Sequence, residues 1–341
     1  MAYGHYHPPS MATVADSPIE VRVAEPADRE MVLDLLSASL GWPRDEQFES
    51  FFAWKHEANP FGRSPAWVAI EDGRVVGFRT FMHWGHETPD GEVLRTVRAV
   101  DTATRPSHQG RGIFRTLTLQ ALNDLRADGV TFIFNTPNDK SRPGYLKMGW
   151  TPVGRLGVAV RVASPTSLVR MLRARVPADV WSAPSDGGSP AADVLTRPGL
   201  DDLLRSIAGT SGLRTHRTPA YLRWRYGFGP LGYRAITLGE DVRGGVAVFR
   251  VRRRGSALEC VLCELLLPGG DPDAGRALVR LVARRCGADY VIRLGSRVAD
   301  RWGFVRVPGQ GPVLTWCPLA ADPPGRHLGD WALTLGDVEL M

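Results

Sequence analysis

The residues of this chain best suited to holding an anion are Gln109-Gly110-Arg111-Gly112-Ile113-Phe114. They follow a strand-like segment, Val97 to Thr104, and then Pro106, and they open a helical pattern running from Ile113 to Arg126. Glycines at such a junction let successive backbone N–H groups converge, and the positive end of the helix adds to them. A phosphate or pyrophosphate is the expected guest. A buried-looking strand comes next, Val130-Thr131-Phe132-Ile133-Phe134, then Asn138 after Pro137, then Tyr145-Leu146-Lys147-Met148-Gly149-Trp150. Asp101 is the only carboxylate on the strand that leads into the glycine loop. A carboxylate in a buried strand needs a partner, so it reads either as a general base or as one half of an ion pair with Arg98 or Arg79.

This ordered set resembles the GNAT (GCN5-related N-acetyltransferase) superfamily, with Phe114 standing where the family usually has Gly or Ala. The resemblance implies acetyl-CoA as co-substrate, with Gln109, Gly110, Arg111, Gly112, Ile113 and Phe114 as cofactor-binding residues and the pyrophosphate on the backbone of Gln109 to Gly112; no metal is expected. It also implies that the backbone of Thr102, Ala103 and Thr104 meets the pantetheine and thioester. Asn138 matches the position that hydrogen-bonds the cofactor arm in the family, and is equally a turn residue. Tyr145 matches the usual general acid for the departing thiolate; the alternative is an aromatic ring packed beneath the cofactor. Glu57 and His56 are alternative bases on the substrate side, and Asp139 and Arg142 either line an acceptor pocket or sit in an exposed loop. A lysine-like amine has a pKa near ~10.4, so presenting it neutral at pH 7 costs roughly 4.6 kcal/mol unless a base removes its proton.

The elements that must position these residues are legible as patterns. Met31, Val32, Leu35, Leu36 and Leu40 have helical spacing, and Asp45 to His56 reads as a second helix ended by Asn59-Pro60. Ala66 to Ile70 and Val75 to Trp84 read as antiparallel strands joined through Glu71-Asp72-Gly73, and a last strand is expected near Gly157 to Val162. The order suits the GNAT topology from about Ile19 to Ala163. The remainder echoes it: Trp54-Lys55-His56 and Pro60-Phe61-Gly62 return as Trp224-Arg225-Tyr226 and Pro230-Leu231-Gly232. The expected fold is therefore α+β, a mixed, mostly antiparallel sheet flanked by helices, in two tandem GNAT copies. The expected divisions are a tail over 1–18, a catalytic domain over 19–163, a connecting helix and linker over 164–198, and a degenerate second copy over 199–341. In that second copy Gly269-Gly270-Asp271-Pro272-Asp273 replaces the glycine loop. Asp-Pro caps its own helix and repels phosphate, so one site per chain is expected.

Composition narrows the class. The 341 residues are 43% hydrophobic and 23% charged with a formal charge of +6, as for a globular protein. Arg252-Arg253-Arg254 is the densest basic run, but no DNA- or RNA-reading motif accompanies it, and no nucleic-acid partner is expected. Cys260 and Cys263 form a lone CxxC without the second pair that a zinc ribbon requires. On a strand, residues three apart point to opposite faces. Residues 1–18 hold no leader pattern and no apolar run reaches transmembrane length, so a cytoplasmic protein without a membrane partner is expected. The expected function is acyl transfer from acetyl-CoA, or a longer acyl-CoA, to a primary amine of a small molecule, by a monomer or homodimer. A tRNA-dependent aminoacyl transferase of the peptidoglycan-branching type is one alternative, although that type lacks the glycine loop. A non-catalytic acyl-CoA-binding protein is the other.

Overall fold

The computed structural model describes residues 18–207, 209, 212–295 and 302–339. Nearly all of the expected N-terminal tail, with His5 and His7, lies outside the described residues. In chain order the first half holds β1 (Glu20–Val23), α1 (Arg29–Leu40), α2 (Glu46–His56), β2 (Ala66–Glu71), β3 (Arg74–Glu87), β4 (Val93–Thr104), α3 (Ile113–Ala127), β5 (Phe132–Asn135), α4 (Arg142–Leu146), β6 (Thr151–Arg155) and β7 (Val158–Val162). The connecting region holds α5 (Pro165–Arg173), β8 (Ser189–Pro190) and α6 (Ala191–Val194). Then follow α7 (Leu200–Ser206), β9 (Arg214–Thr215), α8 (Pro219–Gly227), β10 (Arg234–Thr237), β11 (Val246–Arg254), β12 (Ala257–Leu266), α9 (Pro272–Arg285), β13 (Tyr290–Leu294), β14 (Val305–Val307), β15 (Val313–Pro318) and α10 (Leu335–Val338).

The first sheet is sandwiched because two amphipathic layers need cover. Val32, Leu33 and Leu36 of α1, with Phe52 of α2, close on Val68, Val75 and Phe78 on one face. On the other, Ile113, Leu117, Ala121 and Leu125 form a stripe at four-residue spacing along α3 and close on Ala69, Val76, Phe81 and Val97. The helix lies so near β3 at Gly77 that a Cβ there would come within 2.4 Å of Ile113 Cγ2.

The two sheets exchange strands. The first runs β1-β2-β3-β4-β5-β15-β6 with β9 paired to β3, and the second runs β14-β7-β13-β12-β11-β10-β8. Thus β15, from late in the chain, is wedged antiparallel between β5 and β6, while β7, the last strand of the first half, pairs with β13 and β14. A cut between residues 163 and 164 therefore leaves the first sheet holding β9 and β15 from the second half, and the second sheet holding β7 from the first. The echo between the halves is physical as well. Trp54 Nε1 donates to the carbonyl of Trp224, 170 residues away, and Trp224 Nε1 donates to the carbonyl of Trp54, both at 2.8 Å. The two rings stack at 5.1 Å. Each tryptophan thus meets the other in the same way. Cys260 and Cys263 pack into different cores on opposite faces of β12. Arg252 and Arg254 of the basic run both bond Glu259.

Candidate active site

A single interruption in strand pairing creates the site. β4 and β5 pair in parallel only through Val97 with Ile133 and Arg98 with Phe134. Beyond them β4 continues to Thr104 while β5 stops at Asn135, and the parting strands open a cleft of about 1020 Å³. Asp101, Thr102, Thr104, Gln109, Gly110, Gly112, Ile113, Phe114, Asn138 and Tyr145 all line it. Two of the expected cofactor-binding residues do not. Ala103 is buried on the opposite face with Val32 and Phe78, and the side chain of Arg111 pairs with Glu71 at 2.7 Å. Arg111, together with His108 at 2.6 Å from the same carboxylate, straps the glycine loop to the end of β2.

The loop itself is shaped for an acceptor-rich guest. Gly110 and Gly112 have φ of 81° and 80°, in the left-handed region that glycine enters without penalty. Gly112 is the N-cap of α3 and supplies no side chain to the free N–H groups of the first turn. At the corresponding start of α9, Asp271 accepts from the backbone N–H of Asp273 at 2.8 Å, so that helix satisfies itself. Asn138 turns its own oxygen back on the chain, accepting from the N–H groups of Lys140 and Ser141 at 3.1 and 2.9 Å. Asp139 and Arg142 pair with one another at 2.9 Å outside the cleft lining.

Asp101 sits at a β-bulge. Phe78 pairs with Ala103 and Thr80 with Val100, so Asp101 and Thr102 together face the single Arg79. The extra residue puts Asp101 at φ 40° and turns its carboxylate to α2. There it accepts from Lys55 Nζ at 2.6 Å and His56 Nε2 at 2.8 Å, while His56 Nδ1 lies 3.0 Å from Ser64 Oγ. Burial works to raise the Asp101 pKa, but the Lys55 charge and the His56 hydrogen bond prevail and hold it well below the carboxylate range. Burial lowers both Lys55 and His56, against the pull of Asp101. The geometry thus supports the ion-pair reading of Asp101 with a correction of partners: Lys55 and His56, not Arg98 or Arg79.

Those two arginines serve other groups. Arg98 donates to the backbone carbonyls of Asp337 and, at 2.6 Å, Val338, which seats the C-terminal α10 against the cleft, where Val338 contributes to the lining. Burial draws the Arg98 pKa down to about 10. Arg79 donates to Thr102 Oγ1 and, at 2.8 Å, to the hydroxyl of Tyr145. Tyr145 is 5% exposed, with its ring edge-on to Phe114 at 5.5 Å and against Trp150 at 5.1 Å. Arg98 also lines the cleft, and Lys55, Asn135, Thr136 and Val338 are cleft residues that sequence reasoning did not place. Lys55 alone carried a signal, the repeated Trp54-Lys55-His56 motif.

The match to known proteins falls on this same region. Residues 20–153 match the family model described as an acetyltransferase (GNAT) domain. Residues 20–153 form a GNAT domain. The strand parting and glycine loop both lie within it, and GNAT domains use acetyl-CoA as co-substrate. The mycothiol acetyltransferase of Thermomonospora curvata is 36% identical over 115 residues, which is 32% of this chain and 34% of the relative. The matched segment therefore spans about a third of that protein. Solved structures extend the likeness to nearly the whole chain. A GCN5-related N-acetyltransferase of Anabaena variabilis aligns over 89% of this chain and 73% of its own, with TM-score 0.60 and 12% identity. One from Kribbella flavida aligns over 88% and 72%, with TM-score 0.60 and 17% identity. Eis1 of Mycobacterium abscessus aligns over 89% and 74%, with TM-score 0.56 and 17% identity. At such identities the shared property is the GNAT fold, and it covers both sheets of this chain.

Proposed function

We propose that the chain is an acetyl-CoA-dependent N-acyltransferase that transfers the acyl group directly to a primary amine of a small molecule in a ternary complex. The observation that carries this is the convergence of the uncapped α3 N-terminus, the left-handed Gly110 and Gly112, and the Tyr145 hydroxyl on one cleft. The pyrophosphate is held at Gln109 to Gly112, and the pantetheine arm runs along the free edge of β4 at Thr102 to Thr104 toward Tyr145. The amine attacks the thioester carbonyl, the C–N bond forms and the C–S bond breaks. Tyr145 gives its proton to the departing thiolate and recovers one from solvent, which receives the proton lost by the amine. Asp101 stays anionic and holds Lys55 and His56 in place beneath the cleft.

The test is release of free CoA from acetyl-CoA across a panel of amines, with calorimetric titration of acetyl-CoA alongside. A mycothiol-type acceptor belongs in the panel because the 36% identical relative is named for that substrate. Tyr145→Phe is expected to lower kcat by roughly 10²–10⁴ with CoA affinity nearly intact. A protein that neither binds acetyl-CoA nor releases CoA with any amine overturns the proposal. Loss of CoA binding in Tyr145→Phe with turnover preserved would make the residue a packing element.

A further inference from the structure

Arg79 is a fully buried cation on β3, and among the described residues no carboxylate pairs with it within salt-bridge distance. Its Nη1 donates to Thr102 Oγ1 and Tyr145 OH, while Nε and Nη2 are buried without a hydrogen-bond partner. Rings surround the guanidinium: Phe81 at 4.1 Å, Tyr145 at 5.3 Å and Phe114 at 5.7 Å from Cζ. Burying an arginine in this way is costly, since the guanidinium stays protonated and its lost hydration is only partly replaced. Of the other buried cations, Lys55 and Arg250 each have a carboxylate within 3.0 Å, and Arg98 and Arg225 are met by backbone carbonyls. Arg79 instead faces a neutral phenol whose oxygen becomes negative only if its proton leaves.

We propose that Arg79 is a positioning residue that makes Tyr145 a proton donor, by aiming the hydroxyl hydrogen into the cleft and by stabilising the phenolate formed when that hydrogen is transferred. This rests on the reading of Tyr145 as the acid. A phenol oxygen that accepts from a fixed N–H cannot turn its own hydrogen toward that donor, and Thr102 engages the same nitrogen. The hydrogen is left to the open side, where Tyr145 lines the cleft. As the C–S bond breaks, the thiolate takes this proton. The electron pair left on the phenol oxygen meets a cation already in place, with no reorganisation needed. The charge that was costly in the resting protein is compensated only at that moment, so the stabilisation falls on the transition state. Nothing in the local sequence announces this, because Arg79 and Tyr145 are 66 residues apart.

The experiment is a kinetic double-mutant cycle with acetyl-CoA and the best acceptor, using Arg79→Met and Arg79→Gln alone and combined with Tyr145→Phe. Each Arg79 variant is expected to lower kcat by about 10- to 100-fold while the acetyl-CoA dissociation constant changes by less than about twofold. In the Tyr145→Phe background the same substitutions should change kcat by less than about twofold, because the group they act through is gone. Equal losses in both backgrounds, or lost acetyl-CoA binding with kcat preserved, overturn the role of Arg79 and leave Tyr145 standing. Full activity of Tyr145→Phe alone overturns the acid reading and this inference together. If Arg79→Met does not fold, Arg79→Gln carries the cycle, and Arg79→Lys, which keeps a cation, should retain more activity than Arg79→Gln. The reverse order overturns the electrostatic role.

Discussion

Replacing Asp101 by Asn removes the carboxylate that pairs with Lys55. Lys55 is 1% exposed, and the pair lies at 2.6 Å, so the variant leaves a buried ammonium facing an amide. Breaking a buried pair from one side costs about 3–5 kcal/mol. The cost has a ceiling, because Lys55 can shed its proton. Neutralising an amine of ordinary pKa ~10.4 at pH 7 costs about 4.6 kcal/mol, and at pH 9 only about 1.9 kcal/mol. Asp101→Asn is therefore expected to lose about 3–4.6 kcal/mol at pH 7, a melting point lower by several degrees. It should recover up to about 2.7 kcal/mol between pH 7 and pH 9, since the unfolded state then binds more protons than the folded one and stability rises with pH. The opposite limb tests the wild type. Its Asp101 pKa is depressed in the fold, so that contribution is complete above the unfolded value near ~3.9 and is lost as pH falls toward the folded value. The assay is urea and thermal unfolding of wild type, Asp101→Asn, Lys55→Met and the double variant at pH 7 and pH 9. The double variant should regain much of the loss, and the activity deficit of Asp101→Asn should not depend on pH. An unchanged melting point together with an activity loss that shrinks toward alkaline pH would refute this reasoning and restore Asp101 as the base.

Two further outcomes follow from the loop. Gly110→Glu introduces a charge and a Cβ at φ 81°, with no neighbour within 4 Å to clash, so CoA binding should weaken more than about tenfold, or 1.4 kcal/mol, while the fold persists. Unchanged affinity by calorimetry would remove the pyrophosphate from this loop. CoA should also bind once per chain, because the first turn of α9 is already capped by Asp271 and carries Asp273, and titration to two equivalent sites would contradict that.

The sequence by itself determined what depends on neighbours along the chain. The glycines of the loop, the apolar stripe of α3 and the Asp-Pro cap of α9 are all local patterns, each with a short-range physical cause that tertiary packing did not overrule. The tertiary structure decided which distant groups met. A one-residue bulge opposite Arg79 rotated Asp101 away from the arginines beside it and onto Lys55 and His56, and no period in the sequence marks a bulge. It also decided that β15 rather than a first-half strand would fill the place beside β5, and that the carbonyls of α10, about 240 residues from Arg98, would satisfy that arginine at the cleft. Strand partners are chosen by long-range burial and hydrogen-bond closure between segments whose individual sequences look alike. The glycine loop could therefore be read along the chain, while the groups that set the electrostatics around it appeared only once the chain had folded.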